Sequence, residues 1–222
     1  MNTDIKPLIF IPSARDLPEF EEYTKKLNYD KLWIKYHPQE EAYVVGRNWF
    51  LEHSEYTHLI ILPDDLLLEQ SQLETLLQHS DMVMSGWCIH GKSPQDRKGL
   101  DSNVSFSLPS IFTPPMLTVY ESYDFIPINE IKNYIRAHWV AATIKFSGFA
   151  PTIIPREIVQ QVPFRASHGC CVDTCFSQDL LIHKINQFVN FRVQTKEIEA
   201  TSPELIQVGK KEKEIRYEHE SV

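Results

Sequence analysis

The sequence predicts an α/β fold, a single domain around a mixed sheet that is mostly parallel in its N-terminal half, with helices on both faces. Between residues 7 and 87, four short apolar runs alternate with three segments of helical periodicity, the order typical of a parallel sheet. The third run, 58–62, is almost entirely leucine and isoleucine, as in a buried central strand. A length of 222 residues and a hydrophobic fraction of 42% suit one substantial core.

The elements of the first half follow from apolar periodicity and from the residues that end each run. Pro12 closes the first apolar run, and Pro18 suits the first turn of the helix that follows it. Ser71 and Glu74 have the spacing of a capping box, which predicts the start of a helix there. The predicted elements are strands over 7–11, 31–36, 58–62 and 82–87, with helices after Pro18, over 41–53 (Val44, Val45 and Trp49 toward the core) and after Ser71.

The second half is less regular, and shorter patterns predict its elements. Pro155 predicts a short helix that reaches residue 161, and Asp173 is placed to cap another helix. From Thr201 onward the chain is polar and charge-rich, which predicts a frayed helix or a mobile tail. The remaining predicted elements are an edge strand or hairpin over 102–108, a helix over 128–137, and strands over 139–146, 152–154 and 188–193.

Charge and hydropathy exclude several classes of protein. A formal net charge of -8 argues against a general nucleic-acid binder, because phosphate attraction needs a dense Lys and Arg surface. No apolar stretch is long enough to span a bilayer, and the N-terminus lacks the pattern of a secretory signal. We therefore expect a cytoplasmic protein, with peripheral contact to a membrane surface left open.

Two adjacent carboxylates, Asp64 and Asp65, come directly after the third predicted strand and Pro63. Burial beside a second negative charge raises the pKa of each carboxyl, so keeping both ionised costs free energy that a divalent cation would offset. Mn²⁺ and Mg²⁺ prefer oxygen ligands, typically one or two carboxylates together with substrate phosphates. The pair therefore predicts either a metal–diphosphate site or a plain cap of the turn after Pro63.

The ends of the first and third strands should lie together. Parallel strands place their C-terminal ends on one edge of a sheet, and ligands bind outside that edge. The segment 12–15 and the Asp64–Asp65 pair are therefore expected to face one crevice.

Five segments, in order, resemble the GT-A family of nucleotide-sugar glycosyltransferases over roughly residues 7–200. They are LIFIPSARD, VVGRNWFLEH, THLIILPDDLLL, FSGFAPTIIPREIVQQVPF and CCVDTCFSQDLLIHKINQFVNFRV. The resemblance implies a Rossmann-like GT-A domain over 1–200, with a nucleotide-sugar-binding half at 1–100 and an acceptor half at 101–200. A charged C-terminal tail would follow at 201–222. The implied activity is transfer of a sugar from a nucleotide-diphosphate-sugar donor to the hydroxyl of a sugar, lipid or protein acceptor.

The resemblance also implies roles for individual residues. Asp64 and Asp65 would hold Mn²⁺ or Mg²⁺ in the D-x-D region, and Asp173 would contact the acceptor or serve as the catalytic base, with Asp179 as the reserve. Gly148 would let the backbone approach the sugar or acceptor. Apart from the resemblance, the place of Trp87 after the fourth strand predicts either a residue of the sugar pocket or a core tryptophan. The donor itself would be bound by Pro12, Ser13, Ala14, Arg15, Arg47 and Asn48 together with the two aspartates.

Two departures from the family pattern keep other functions open. Pro63 stands in the place of the first D-x-D carboxylate, and no His occupies the expected position near 199–201, where Glu199 is the available ligand. A catalytically inactive binding module of the same fold is therefore one alternative. A sugar-phosphate nucleotidyltransferase is the other, although it would require a glycine-rich loop where this chain has IPSARD.

Overall fold

In the computed structural model, the described residues are 5–90, 101–105, 125–167, 170–198 and 205–220. They form six helices and twelve strands. The helices are α1 (Pro18–Thr24), α2 (Gln39–Glu52), α3 (Gln70–Leu77), α4 (Ile128–Arg136), α5 (Arg156–Gln161) and α6 (Val172–Ile182). The strands are β1 (Pro7–Ser13), β2 (Lys31–Lys35), β3 (His58–Ile61), β4 (Leu66–Leu67), β5 (Val83–His90), β6 (Asp101–Ser105), β7 (Phe125–Pro127), β8 (Ala141–Ile144), β9 (Phe146–Ser147), β10 (Thr152–Pro155), β11 (Gln187–Glu197) and β12 (Glu214–Glu218).

The N-terminal half contains the predicted parallel strands. β1 lies between β2 and β3 and is parallel to both, with Ile9 opposite Lys31 on one side and Ile60 on the other. Its residues 8–11 are fully buried, as expected of a central strand covered on both faces. The C-terminal ends of β1 and β3 therefore meet at the same edge of the sheet, as the sequence predicts.

The second half inserts an antiparallel strand into this sheet. The strand order is β12-β2-β1-β3-β10-β5-β11-β4, and β10 is antiparallel to both β3 and β5. β11 then pairs with β5 in parallel orientation. The mixed α/β fold is thus confirmed, but β5 is separated from β3 by a strand that comes much later in the chain.

Helices cover both faces of the sheet, as predicted. On one face, Phe10 of β1 packs with residues of α2, α5 and α6, including Phe50 and Phe176. On the other face, Ile9 packs with residues of α1 and α3, including Phe20 and Leu73. In the described part of the chain, no helix has the length and apolarity needed to cross a membrane.

The C-terminal segment differs from its prediction. Its residues Glu214–Glu218 form β12, which pairs antiparallel with β2 at the edge of the main sheet, instead of a frayed helix or mobile tail. The buried Asp30 accepts hydrogen bonds from the Tyr217 hydroxyl (3.1 Å) and the Glu220 backbone N–H (2.9 Å). These contacts join distant parts of the chain, so a charged local composition does not reveal them.

Several helices and strands also begin or end at residues other than the predicted ones. The capping box of α3 is formed by Glu69 and Gln72, two residues before the predicted pair. α6 begins at Val172 with Cys171 at its N-cap, so Asp173 lies in the first turn and does not cap the helix. The strand predicted over 139–146 begins at Ala141 and is split into β8 and β9. Residues 106–108 of the predicted hairpin lie outside the described ranges.

Candidate functional site

Four side chains form a compact ion cluster at the C-terminal edge of β1 and β3, namely Ser13, Arg15, Asp64 and Asp65. Arg15 Nη2 donates to Asp64 Oδ1 and to Asp65 Oδ2, the latter at 2.9 Å. Arg15 Nε donates to Asp64 Oδ2 at 3.3 Å, and Ser13 Oγ donates to the same oxygen at 3.0 Å. The structure therefore brings together the two strand ends that the sequence predicted to face one crevice.

The two aspartates of the ion cluster have different environments. Asp64 is buried, and both of its carboxylate oxygens are engaged by Arg15. Burial raises the pKa of Asp64, while the hydrogen bonds and charge of Arg15 oppose part of that rise. The Asp65 side chain is 29% exposed, so its carboxylate is the one that an incoming group can reach.

The Arg15 guanidinium is held in its charged form. Burial by itself would lower the pKa of Arg15, but the hydrogen bonds and charges of Asp64 and Asp65 outweigh it and raise the pKa above its ordinary range. The site thus contains a fixed cation at the end of β1, between the two carboxylates.

Backbone contacts from the C-terminal half hold the loops that carry the ion cluster. The Gln207 N–H donates to the Ala14 carbonyl at 2.8 Å, and Ile206 forms a bridge with Arg15. The Ile198 N–H donates to the Asp65 carbonyl at 2.7 Å. Segments far away in the sequence therefore fix both sides of the cluster.

Asp173 lies in the first turn of α6, where its carboxylate is partly sequestered. Its Oδ1 accepts a hydrogen bond from the Thr174 N–H at 2.7 Å. Burial raises the pKa of Asp173 above its ordinary value of 3.8, although hydrogen bonds from Cys171 and Thr174 lower it in part. Burial and then the charge of Asp173 raise the pKa of the Cys171 thiol to about 12, so this thiol stays protonated.

Sequence reasoning missed Tyr43, a buried residue of α2 whose pKa is affected by Asp173 and by the ion cluster. Burial raises the pKa of Tyr43 well above its ordinary range. Three carboxylate charges raise the same pKa further, in the order Asp173, Asp65 and Asp64. The Tyr43 hydroxyl therefore stays protonated.

The predicted core-facing side of α2 was only partly correct, which explains why Tyr43 was missed. Of the residues predicted toward the core, Val45 and Trp49 pack against it, whereas Val44 is 38% exposed and Tyr43 is 4% exposed. Ala42, Gly46 and Phe50 are buried on the same helix as Tyr43. Gly46 and Phe50 follow Tyr43 by three and seven residues, the helical spacing that identifies the buried face.

Arg47 and Asn48 are not brought to the ion cluster. Arg47 Nε donates to the Val159 carbonyl at 2.9 Å and Nη2 to the Gln160 carbonyl at 3.1 Å, so the guanidinium binds the last turn of α5. Asn48 is exposed. The donor contacts predicted for Arg47 and Asn48 have no counterpart in this arrangement.

Of the two residues predicted to line the sugar or acceptor pocket, Trp87 is buried and Gly148 is partly exposed. Trp87 is 1% exposed and donates through Nε1 to the Phe191 carbonyl at 3.0 Å, so it is a core residue. Gly148 is partly exposed, and a Cβ there would meet Asn103 only at ordinary contact distances of 3.7–3.8 Å. Asp179, the reserve base, is bound by Arg165 through two hydrogen bonds of 2.7 and 2.8 Å.

Few carboxylate oxygens of the ion cluster are available to bind a divalent cation. Across the described ranges, no group of three or more His, Cys, Asp or Glu side chains is placed to hold a metal ion. Asp64 is committed to Ser13 and Arg15, whereas Asp65 has one oxygen bound to Arg15 and is partly exposed. Asp65 together with substrate phosphates fits the way in which Mg²⁺ is usually bound. Glu199, the suggested further ligand, lies outside the described residues.

Comparison with known proteins gives a fold and no family. No family model matches the chain, and no curated protein matches it. A solved structure, the crystal structure of A197 from STIV, superposes with a TM-score of 0.59 at 15% sequence identity, covering 90% of this chain and 92% of that one. The fold is shared with A197 from STIV. Because so much of both chains is covered, the similarity to A197 includes both halves of the sheet, and at this identity it shows the fold alone.

Proposed function

We propose that this protein is a glycosyltransferase of the GT-A kind that moves a sugar from a nucleotide-diphosphate-sugar donor to an acceptor hydroxyl. The observation that carries the proposal is the placement of Arg15, Asp64 and Asp65 at one sheet edge. A cation for a leaving diphosphate and a carboxylate for an acceptor proton are the two groups that such a transfer requires.

The donor end of the site is the ion cluster. Arg15 would stabilise the negative charge that develops on the diphosphate when its bond to the anomeric carbon breaks, and Asp64 holds the guanidinium in place. Pro12, Ser13 and Ala14 would border the nucleotide, as the family resemblance implies. A divalent ion such as Mn²⁺ or Mg²⁺, bound by Asp65 and the phosphates, would supply further charge neutralisation.

The acceptor end of the site is Asp173. Its carboxylate would take the proton of the acceptor hydroxyl while that oxygen forms a bond to the anomeric carbon and the diphosphate leaves with the bonding electrons. A carboxyl whose pKa is raised by burial is a stronger base than an ordinary one, which suits this role. The halves 1–100 and 101–200 would then supply donor and acceptor contacts, respectively.

Calorimetry with nucleoside diphosphates, with and without Mn²⁺, and detection of sugar release from nucleotide sugars would test the proposal. We expect Arg15→Ala to weaken diphosphate binding at least tenfold, because one charge-assisted contact is lost. Asp173→Asn should keep donor binding and lose transfer. Arg165→Ala, which removes an arginine that pairs with Asp179, is the matched control and should bind nucleotide as the wild type does.

The outcomes separate the candidate functions. A wild-type chain that binds a nucleotide sugar with no turnover towards water or any acceptor would be a binding module. Turnover of a nucleoside triphosphate with a sugar phosphate would indicate a nucleotidyltransferase. Failure to bind any nucleoside diphosphate, with or without Mn²⁺, would remove the proposed function.

A further inference from the structure

The turn after α4 holds a tryptophan at the surface of the protein. The Trp139 N–H donates to the Tyr134 carbonyl at 2.9 Å, and the His138 N–H donates to the Ile135 carbonyl at 3.0 Å. These two hydrogen bonds are those of a Schellman motif, in which His138 has a φ of 61°, a conformation that favours glycine. The motif fixes the position of Trp139 at the cost of some backbone strain at residue 138.

A stack of three rings supports the Trp139 indole. The Trp139 ring stacks on Tyr134 with centroids 5.3 Å apart, and Tyr134 stacks in turn on the buried Phe191 at 5.2 Å. Trp139 is nevertheless 53% exposed, and Ile135 in the last turn of α4 is 39% exposed. An indole held at the surface in this way suits a lipid interface, where tryptophan is favoured, because a protein partner would need a pocket shaped to receive it.

Basic side chains lie next to these exposed apolar residues. Lys132 and Arg136 are one turn apart on α4, so they lie on neighbouring parts of the helix surface together with Ile135. Arg192 directly follows Phe191, the innermost ring of the stack. All three basic side chains are exposed, and none makes an ion pair with a residue that the structure describes. The α4 surface consists of Lys132, Ile135, Arg136, Trp139 and Arg192.

The α4 surface is positively charged in an acidic protein. Residues 125–198 contain eight basic and five acidic residues, a formal net charge of +3, against -8 for the whole chain. Glu130, the acidic residue of α4, lies in the first turn of the helix, at the opposite end from Trp139. Exposed apolar residues beside lysine and arginine are complementary to a bilayer that contains anionic phospholipids.

The α4 surface lies toward the same edge of the sheet as the ion cluster. β10 is antiparallel to both β3 and β5, and β11 is parallel to β5, so β11 runs in the same direction as β1 and β3. β8 is antiparallel to β11 and begins at Ala141, two residues after Trp139. Trp139 therefore lies toward the edge at which β1 and β3 end.

We infer that the α4 surface binds the surface of a bilayer that contains anionic phospholipids. Its two apolar side chains would enter the interface between the headgroups and the acyl chains, and its three basic side chains would lie against the lipid phosphates. The bilayer would then lie against the edge of the sheet that carries the ion cluster. This inference does not depend on the proposed function, because it involves none of the proposed donor or acceptor residues.

Co-sedimentation with vesicles of phosphatidylcholine, and of an equal mixture of phosphatidylcholine and phosphatidylglycerol, tests the inference. We expect the wild type to bind the mixed vesicles alone, and to bind them less as salt is added. Lys132→Gln/Arg136→Gln should weaken this binding about 25-fold, from about fivefold for each charge removed. Trp139→Ala should weaken it about tenfold, because the apolar area that enters the interface is lost.

Matched controls lie on other parts of the molecule. Lys25→Gln/Lys26→Gln removes two exposed lysines at the end of α1, which covers the opposite face of the sheet. Ile182→Ala truncates a side chain that is 71% exposed at the end of α6, which leads into the start of β11. Both controls should bind the mixed vesicles as the wild type does. Melting temperatures would show whether each variant is folded, and the two charge variants remove no buried contact.

Four results would overturn the inference. The first is a wild type that does not bind the mixed vesicles, and the second is one that binds phosphatidylcholine alone equally well. The third is wild-type affinity in the folded Lys132→Gln/Arg136→Gln variant. The fourth is a dimer, seen by light scattering, that Trp139→Ala dissociates, since the α4 surface would then bind a second copy of the chain. None of these results bears on diphosphate binding, so the proposed function is tested separately.

Discussion

Replacing Arg15 by Gln should destabilise the fold more than most surface substitutions, because it leaves Asp64 without its counter-ion. The Asp64 side chain is 5% exposed and that of Arg15 18%, so solvent screens the pair only weakly. Removing one partner of such a buried pair typically costs about 3–5 kcal/mol. For a chain of this length, that corresponds to a melting temperature lower by roughly 6–20 °C.

The loss should depend on pH and on the charge of Asp64. Without Arg15, the folded-state pKa of Asp64 rises further above its unfolded value, so the folded state binds the proton more tightly. The destabilisation is then absent below the ordinary carboxyl pKa of 3.8 and grows as the pH rises through the folded-state value. The double variant Arg15→Gln/Asp64→Asn removes the buried charge and should recover most of the loss.

Urea unfolding of the wild type, both single variants and the double variant at pH 5 and pH 7 would measure this coupling. Two results would refute the reasoning. One is an Arg15→Gln stability within about 1 kcal/mol of the wild type at pH 7, since uncompensated buried charge costs more than that. The other is a double variant no more stable than Arg15→Gln alone.

Two further perturbations address the rest of the structure. Asp173→Asn should stabilise the fold at pH 7, because burial raises the folded-state pKa of Asp173 and ionisation costs stability as the pH rises. The gain in melting temperature should vanish below about pH 4, and a gain independent of pH would contradict this cause. Ending the chain after Lys213 removes β12. It also removes the hydrogen bond from the Tyr217 hydroxyl to Asp30 and the contact of Glu220 with the fully buried Lys31. We expect the free energy of unfolding by urea to fall by about 3–5 kcal/mol, against no change when only residues 221–222 are removed.

The strands that carry the ion cluster were predictable because their signals are local. Residues 7–11 and 58–62 are apolar runs closed by proline, and each forms a fully or almost fully buried strand. Once those two strands are parallel neighbours, the polar residues after them must share an edge. The proximity of Arg15 to Asp64 and Asp65 therefore follows from pattern and chain direction, and the structure adds which oxygen each nitrogen contacts.

The α2 helix shows where local pattern is ambiguous. Tyr43, Val44 and Val45 are consecutive apolar residues, so periodicity alone permits either of two adjacent faces to be buried. Packing against Phe10 and Phe149 selects the face with Tyr43 and leaves Val44 exposed. That rotation also turns Arg47 to the carbonyls of α5.

The sequence by itself determined the elements whose residues lie close together in the chain, namely the parallel strands β1–β3, their covering helices and the acidic pair at a strand end. Only the tertiary structure decided the position of β10 between β3 and β5 and the pairing of the charged β12 with β2. Local periodicity reports which side of a segment is apolar. The partners in these pairings lie 67 or more positions apart, and contacts at that range have no local signature.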